Sequence, residues 1–537
     1  MAEQFKSATD QLQVAWDNYF LAYSALRNHR SQEETPYTYG FPPEVSHHLD
    51  TQLAFISLYE SKIQKIKLEI SYHHNYSSGL SPINMLPPET LINIFHLVLA
   101  AQPCKIDRLY SSKKYFPRHS DYLATAISSH SLWCHIDLSI HEPWSYRLLN
   151  RAKVYVARAG QLPLELHITG GDFYCLIDTY CECQGFYGLI SHISSRVETL
   201  DIVVTGEFEG SHSHIFSTLL LSQRPALVKF ILRSISYHHD TFIVDRDSYL
   251  SGLEGEGRHL PLGLTEPQLT TSFAPIKALH LRGIFPLWSS TAYHGLSDLR
   301  LLSTKHWSHI TEAQFVAVLK SSPGLQILHF GPRIHGLTTD TERVTPVNLP
   351  DLQVVKIFPT NNKKTLSPSS VLRLLAPGMK PLRLAFDGYY QSDSAVDLEK
   401  FFGRSRVIKF YVQTAFPPLS ILQHAAHLEC VVLDGFRPGP DHQLTPVMAS
   451  IGGSTSFPYL RSLHIMETTL YEHDLRVLLE YCPTGILLQS CYIYFKEGTS
   501  GYRGNAKLHS HKFPGVRATD HPIYPPEAPI ASWDRLE

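Results

Sequence analysis

Three cysteines in one short stretch are the residues of this sequence best suited to hold a metal ion. They are Cys175, Cys181 and Cys183, and thiolates and imidazoles are the ligands that zinc prefers in tetrahedral sites. Histidines that could complete such a site are His167, His212 and His214. The spacing C-x5-C-x-C differs from the paired CxxC of zinc fingers, and cysteines are also common in protein cores. We therefore assign no metal ligand here and keep zinc binding as an open alternative.

Two aspartates form a second candidate site. Asp245 and Asp247 directly follow the apolar pair Ile243 and Val244, which gives an apolar run followed by DxD. Two carboxylates at this spacing can hold a divalent cation that is bound to a nucleotide sugar. A solvated loop explains the same three residues, so a metal-dependent transferase that uses Asp245 and Asp247 is kept only as an alternative function.

The common catalytic motifs are missing from the sequence. It contains no GxSxG, no HExxH and no GxxxxGK[ST], so the spacings of a nucleophile elbow, a zincin and a P-loop are absent. Gly255 and Gly257 supply two glycines of a dinucleotide-binding loop, but Leu260 stands where the third is needed. We therefore expect no enzymatic activity and no cofactor.

Composition excludes several other classes of function. The chain has 537 residues, of which 43% are hydrophobic and 18% charged, as in globular proteins. With 47 basic against 49 acidic residues, no overall field favours nucleic acid or an anionic membrane. No run approaches 18 apolar residues, so we expect no transmembrane helix. The 8 scattered cysteines favour a reducing compartment, the cytoplasm, the nucleus or both.

The sequence predicts two helices in residues 1–76, the first of the structural elements along the chain. Residues 4–29 place Phe5, Trp16 and Phe20 on one helical stripe, and residues 45–73 repeat isoleucines at heptad spacing. Two helices of this length more often fold back on each other than recruit a second chain. We therefore predict a helical hairpin in a monomer, with a homodimeric coiled coil as the alternative.

A third predicted helix lies in the segment INMLPPETLINIFHLVL, residues 83–99. Pro87 and Pro88 suit a first helical turn, and Glu89 lies at the positive end of the helix dipole. Apolar residues then recur with the spacing of one helical stripe, namely Leu91, Ile94, Phe95, Val98 and Leu99. The pattern alone fits an ordinary core helix as well as a helix that docks onto a partner.

This segment resembles the opening of an F-box. The order Ile83, Leu86, Pro87, Pro88, Glu89, Leu91, Ile94 and Phe95 carries the resemblance, and Leu132 and Trp133 match the Leu-Trp pair near its end. Tyr122 stands where fungal F-boxes have the Trp of a Val-Cys-Arg-x-Trp segment, and the rest of that segment is lost. The resemblance implies an F-box-like helical domain over 81–140. Its contacts with a Skp1-like adaptor would come from Leu86, Pro87, Pro88, Leu91, Ile94 and Phe95.

An apolar-x-x-apolar-x-apolar pattern recurs ten times in the larger remainder. The frames are Val197/Leu200/Ile202, Leu227/Phe230/Leu232, Ile276/Leu279/Leu281, Leu296/Leu299/Leu301, Leu325/Leu328/Phe330, Leu352/Val355/Ile357, Met379/Leu382/Leu384, Val407/Phe410/Val412, Leu428/Val431/Leu433 and Leu460/Leu463/Ile465. Their spacing is mostly that of one strand plus one helix. Such short apolar rows must stack on their neighbours, which predicts parallel strands with helices on one side.

The segments between these frames carry helix signals. Thr311 and Gln314 form a capping-box pattern, Pro368 suits a first helical turn, and Tyr471–Pro483 has helical periodicity. The pattern resembles an irregular leucine-rich-repeat solenoid over 160–490, followed by a cap or extension over 491–537. A different α/β domain with buried parallel strands is the alternative. We predict that Arg233–Ser272, in the longest gap between frames, is an exposed loop.

Together these features predict an α/β chain with an N-terminal helical hairpin, F-box helices and a leucine-rich-repeat-like solenoid. The same arrangement is similar to the F-box proteins of mushroom-forming fungi. The resemblance implies a substrate-recognition adaptor of a Skp1–cullin–F-box ubiquitin ligase, whose repeats hold a target protein. A leucine-rich interaction scaffold that engages no ligase is the alternative function.

Overall fold

The chain divides into two compact units, Met1–Ile94 and Phe95–Glu537. A computed structural model describes residues 2–32, 51–52, 55–56, 59–60, 62–67, 69–70, 90, 133–139, 145–170, 180–204, 210–221, 227–234, 241–250, 258–303, 308–336, 345–358, 368–386, 395–413, 425–435, 460–482, 485–497, 500–505 and 512–519.

The first unit contains the long helix α1, Ala2–Gln32, which confirms the helix predicted over 4–29. Its aromatic residues lie along one side, and the ring of Trp16 is centred 6.1 Å from the rings of both Tyr19 and Phe20. Every residue from Glu3 to Ala25 is exposed to solvent. The described positions between 51 and 70 are also helical. The hairpin predicted for residues 1–76 stays a prediction, because most of its second helix lies outside the described residues.

The second unit is built on one parallel sheet of 14 strands. In order along the sheet they are β1 (His135–Ser139), β2 (Leu164–Gly170), β3 (Val197–Val204), β4 (Lys229–Ser234), β7 (Ala278–Arg282), β9 (Asp298–Leu302), β11 (Ile327–Phe330), β14 (Val354–Ile357), β16 (Leu382–Phe386), β17 (Val407–Gln413), β18 (Cys430–Asp434), β19 (Ser462–Met466), β21 (Ile486–Gln489) and β24 (Val516–Thr519). We call this the main sheet. Its strands follow one another in chain order, which confirms an α/β chain with stacked parallel strands.

The core is formed by rows of apolar residues that cross all strands of the main sheet in register. One row contributes a single residue from each strand, and none of these residues is more than 9% exposed. It runs through Ile136, Leu166, Leu200, Phe230, Leu279, Leu299, Leu328, Val355, Leu384, Phe410, Val431, Leu463, Ile486 and Val516. Burial of these side chains is the main stabilising contribution, at about 25 cal/mol for each Å² of apolar surface removed from water.

Helices connect most of these strands. They are α2 (Ser145–Ala159), α3 (Tyr180–Ile193), α4 (Gly210–Leu220), α5 (Arg246–Leu250), α6 (Glu266–Phe273), α7 (Glu312–Lys320), α8 (Pro368–Leu372), α9 (Ala395–Arg404) and α10 (Glu472–Tyr481). The predicted capping box at α7 is confirmed, because the Thr311 backbone N–H donates to Gln314 Oε1 over 2.9 Å and the Gln314 N–H donates to Thr311 Oγ1 over 3.2 Å. Helices α8 and α10 also lie where the sequence predicts them.

One of the ten predicted frames is misplaced. The sequence pattern makes Leu382 the central residue of β16, whereas the sheet register pairs Leu384 with both Val355 and Phe410. The register shifts between Leu382 and Arg383, so Leu382 takes the first apolar position of the strand. Met379, predicted to fill that position, is 81% exposed. The first and central apolar residues of β16, Leu382 and Leu384, are therefore two residues apart, one fewer than the sequence pattern predicts.

The prediction that Arg233–Ser272 is an exposed loop is wrong. This range contains β5 (Thr241–Val244), α5, β6 (Arg258–Pro261) and most of α6, and β5 pairs with β6 and with β8 (Ile284–Pro286) in a small parallel sheet. Two hydrogen bonds hold the segment against α4. Ser217 Oγ donates to the Leu262 carbonyl over 2.5 Å, and Ser272 Oγ donates to the Leu220 carbonyl over 2.6 Å. The strands of the segment, β5 (TFIV) and β6 (RHLP), were missed because neither lies in an apolar-x-x-apolar-x-apolar frame.

The main sheet extends beyond both ends of the predicted repeats. Strands β1 and β2 precede the first frame, and β1 lies inside the range 81–140 that was predicted as F-box-like. Strands β21 and β24 follow the last frame, so residues predicted as a cap or extension include a strand of the main sheet. The remaining strands form small sheets: β10 (His309–Thr311) with β12 (Arg333–His335), β13 (Val347–Leu349) with β15 (Leu375–Pro377), and β20 (Thr469–Tyr471) with β22 (Tyr492–Glu497) and β23 (Ser500–Asn505).

Candidate functional site

Among the residues that the structure describes, a concentrated group of chemically active side chains lies on the first three strands of the main sheet. Strand β1 contributes His135 and Asp137, β2 contributes Glu165 and His167, and β3 contributes Asp201. These five residues, which we call the His–carboxylate cluster, alternate along their strands with the apolar residues of the core rows. Because successive side chains of a strand point to opposite faces, the cluster lies on the face of the sheet opposite the core. We call this face the polar face.

Strand register brings the members of the cluster together. His135 lies opposite Glu165, and His167 lies between Asp137 and Asp201 on the neighbouring strands. Directly opposed residues on adjacent strands have side chains within reach of each other. The sequence patterns HIDLS and LELHITG, together with Asp201 of VETLDIVV, therefore place two histidines and three carboxylates side by side once the three strands pair.

Glu165 lies at the centre of the cluster, between the two imidazole rings. Its Oε2 is 3.2 Å from Nδ1 of His135, and its Oε1 is 3.3 Å from Nε2 of His167. The two rings are centred 4.3 Å apart and are tilted by 33°. Interaction with both histidines holds the pKa of Glu165 well below its usual range. Glu165 is therefore an anion in contact with both rings.

An outer carboxylate lies on the far side of each imidazole. Asp137 Oδ1 is 3.1 Å from Nε2 of His135, and Asp201 Oδ2 is 3.5 Å from Nδ1 of His167. Arginines pair with both aspartates: Arg151 of α2 donates to Asp137 over 2.9 Å, and Arg233 of β4 donates to Asp201 over 2.7 Å. Burial raises the pKa of Asp201, but His167 and Arg233 outweigh this effect and leave the pKa lowered.

The polar face carries a second ionic group on β7 and β9. His280 Nε2 is 2.9 Å from Asp298 Oδ2, and Arg300 donates to both oxygens of the same carboxylate. These side chains are mostly buried. This group has one histidine, whereas the His–carboxylate cluster has two that face a shared carboxylate. Only the latter offers the set of nitrogen and oxygen ligands that a transition metal requires.

The residues of the zinc site that the sequence left as an open alternative are only partly described. Cys181 and Cys183 lie on α3, and Cys175 lies outside the described residues. His214 packs edge-on against the ring of Tyr187, with centroids 4.6 Å apart, and His212 is buried on α4. His167, which the sequence grouped with the cysteines, belongs to the His–carboxylate cluster.

The DxD pair has a structural explanation. Asp245 is 7% exposed, and its Oδ1 accepts hydrogen bonds from the backbone N–H groups of Asp247, over 3.0 Å, and Ser248, over 2.9 Å. This is the geometry of a helix cap, which stabilises the start of α5. Burial raises the pKa of Asp245, but the hydrogen bonds from Ser248 and Asp247 together lower it. Asp245 thus caps the N-terminus of α5.

The predicted contacts with a Skp1-like adaptor, Leu86, Pro87, Pro88, Leu91, Ile94 and Phe95, lie outside the described residues. Trp133, from the end of the F-box-like range, is described. It is 2% exposed, packs edge-on against Tyr155 of α2 and has the guanidinium of Arg158 above its ring at 4.4 Å. Trp133 therefore helps to anchor α2 beside β1.

The chain was compared with known protein families, curated proteins and solved structures, and none of them matches it. Among the described residues, no helix has the combined length and apolar character needed to cross a membrane.

Proposed function

We propose that this protein is the substrate-recognition adaptor of a Skp1–cullin–F-box ubiquitin ligase, acting in the cytoplasm or nucleus. In this proposal the F-box-like residues 81–140 bind a Skp1-like adaptor through Leu86, Pro87, Pro88, Leu91, Ile94 and Phe95, and the solenoid holds a target protein. The resemblance of the LPPE segment supports the first part. Catalysis would lie in other subunits of the ligase.

The observation that carries the second part is the polar face of the main sheet. Its strands stack in register, and neighbouring parallel strands are about 4.8 Å apart, so side chains repeat at short, regular intervals along the face. These side chains are mainly polar on the first strands, whereas Ala385, Tyr411, Val432 and Met466 form a buried apolar cluster further along. Stacked repeats of this kind commonly use one extended face to bind other proteins. A surface of this type suits an extended segment of a target protein better than a small molecule.

Charge on the polar face indicates what kind of segment would bind. From β4 to β17, the described residues on this face include seven cationic side chains, namely Lys229, Arg233, Arg282, Arg300, Lys356, Arg383 and Lys409. Of these, Lys356 is buried, and Arg233 and Arg300 pair with Asp201 and Asp298. The same stretch includes one carboxylate, Asp298. Complementary charge steers association and disfavours wrong partners. We therefore expect the target segment to be acidic.

Co-purification tests the two parts of the proposal separately. The full-length protein is expressed with a Skp1-like adaptor, and retained proteins are quantified by mass spectrometry. The variant Ile94→Ala/Phe95→Ala should reduce adaptor retention by a factor of ten or more, as expected for two apolar anchors at roughly 2 kcal/mol each. Asn93→Ala, off the stripe on the same predicted helix, is the matched control and should retain the adaptor.

A second variant concerns the target. Lys229→Glu/Lys409→Glu should retain the adaptor but lose acidic proteins that co-purify with the wild type. If the folded Ile94→Ala/Phe95→Ala variant retains the adaptor fully, the stripe is core and the ligase proposal fails. If the wild type retains targets but no adaptor, the chain is instead a leucine-rich interaction scaffold.

A further inference from the structure

Three side chains on β1 and β2 bring possible metal ligands close together. His135, Glu165 and His167 each offer one ligand atom, and these atoms lie within 4.8 Å of one another. Glu165 reaches both rings, with Oε2 at 3.2 Å from His135 Nδ1 and Oε1 at 3.3 Å from His167 Nε2. Ligands about 2.0–2.1 Å from a tetrahedral zinc ion are separated by about 3.3 Å. We propose that His135, Glu165 and His167 form a zinc-binding site.

The outer carboxylates determine which imidazole nitrogens face this site. If Nε2–H of His135 donates to Asp137 and Nδ1–H of His167 donates to Asp201, the opposite nitrogens carry lone pairs. In both rings the opposite nitrogen is the one nearest to Glu165. Carboxylates that orient histidines in this way are a regular feature of zinc sites, where they fix the tautomer and raise the basicity of the ligand.

The same arrangement favours a cation at the centre. Without metal, the ring nitrogens that face Glu165 lie at hydrogen-bond distance from its oxygens and can donate to them. Metal binding replaces these protons, so that two imidazole lone pairs and a carboxylate face one another. Because Arg151 and Arg233 pair with the outer aspartates, positive charge at the centre must then balance Glu165. A divalent ion bound to all three groups supplies that balance.

The ligand types select zinc over the abundant hard cations. Magnesium and calcium are bound by oxygen atoms, whereas two imidazoles and one carboxylate are a common set for zinc, with water in the fourth position. The site would link β1 to β2 at one end of the main sheet. We therefore expect zinc to stabilise that end of the solenoid.

Zinc binding can be measured on the full-length protein after removal of metal with EDTA. Titration with zinc against a chromophoric chelator should show one ion per chain at this site. His135→Asn and Glu165→Gln should each weaken binding by at least about 100-fold, because they remove a ligand, while Asp137→Asn, which removes an orienting group, should weaken it by about 10- to 100-fold. Cys181→Ser/Cys183→Ser is the matched control and should bind zinc as the wild type does.

Two further measurements separate binding from folding. In EDTA, the unfolding midpoint of Glu165→Gln should match that of the wild type within a few degrees, and added zinc should raise only the wild-type midpoint. Cobalt substitution should give the d–d absorption of tetrahedral nitrogen and oxygen coordination without thiolate charge transfer. The proposal is overturned if zinc does not bind, if His135→Asn and Glu165→Gln bind as the wild type does, or if binding is lost only in the cysteine variant.

Discussion

Arg300 holds Asp298 through two parallel hydrogen bonds, of 2.9 Å from Nε to Oδ1 and 2.8 Å from Nη2 to Oδ2. Both side chains are largely buried, at 21% and 15% exposed, and both lie on strand β9 two residues apart. Bidentate pairs of this kind are stronger than single ion pairs because the planar guanidinium matches the carboxylate. The pair also fixes the carboxylate that contacts His280.

Removing this carboxylate should destabilise the protein. Asp298→Asn leaves Arg300 largely buried without its anion, and we expect the free energy of unfolding to fall by about 2 kcal/mol in urea denaturation. Asp351→Asn is the matched control. Asp351 pairs with Lys380 over 2.7 Å, but the two side chains are 40% and 47% exposed, and such surface pairs contribute at most about 1 kcal/mol. Equal losses of unfolding free energy in Asp298→Asn and Asp351→Asn would contradict the prediction.

His280 should make stability depend on pH. Burial lowers the pKa of His280, although Asp298 opposes the effect. The unfolded chain, in which histidine has a pKa of about 6.5, then binds the proton more readily than the folded chain. Stability from this group is therefore complete above about pH 6.5 and is lost as the pH falls below it.

The measurement is the urea midpoint between pH 8 and pH 5. In His280→Gln the urea midpoint should fall less as the pH is lowered. In the control His294→Gln, which changes an exposed histidine, the midpoint should fall as it does in the wild type. The neighbouring Asp298, whose pKa is lowered to about 2, contributes only at lower pH, because its stabilisation is lost as the pH falls from about 4 toward 2. A decline between pH 7 and pH 5 that is identical in His280→Gln and the wild type would exclude His280 as its source.

The register of β16 predicts unequal effects of two neighbouring substitutions. Leu384 is fully buried in the core row, so Leu384→Ala should cost about 2–5 kcal/mol of unfolding free energy. Met379 is 81% exposed, and Met379→Ala should change stability by less than about 0.5 kcal/mol. Urea denaturation of the two variants provides the comparison. A large loss of stability in Met379→Ala would contradict this register and support the frame predicted from the sequence, in which Met379 is buried.

Gly485, just before β21, allows two segments of backbone to approach closely. A Cβ atom at this position would lie 2.1 Å from the carbonyl oxygen of Arg461 and 3.1 Å from the Cα of Ser462, and backbone atoms cannot turn aside as a flexible side chain can. Gly485→Ala should therefore destabilise by about 1–3 kcal/mol or more. Gly324→Ala is the control, since a Cβ there has no atom within 4 Å. Thermal unfolding of both variants tests the difference.

Much of the main sheet was predictable because its strands carry apolar residues at fixed offsets. Leu279, Leu299 and Leu328 could be aligned from the sequence because each is the central residue of a complete frame of three apolar residues. The prediction that centred a frame on Leu382 was wrong because a register shift shortens the pattern by one residue. A sequence alone does not reveal such a shift. Strands β5 and β6 were not predicted because TFIV and RHLP lack the apolar-x-x-apolar-x-apolar frame that marks most strands of the main sheet.

The His–carboxylate cluster was harder to predict because its members are distant in the sequence. His135 and Glu165 are 30 residues apart, and only strand pairing makes them neighbours. A signal was present, since both β1 and β2 alternate a charged or histidine residue with an apolar one. His167 was singled out from the sequence, but it was grouped with Cys175, Cys181 and Cys183 because those residues are closer along the chain than its actual partners Asp137 and Asp201.

The continuous core row from Ile136 to Val516 has a consequence for how the protein opens. In the main sheet each strand pairs only with the strand before it and the strand after it, so losing a strand at one end removes one interface and leaves the next intact. Opening should therefore proceed as fraying from the two ends, with backbone amides near Leu328 exchanging with solvent most slowly and those of β1 and β24 fastest.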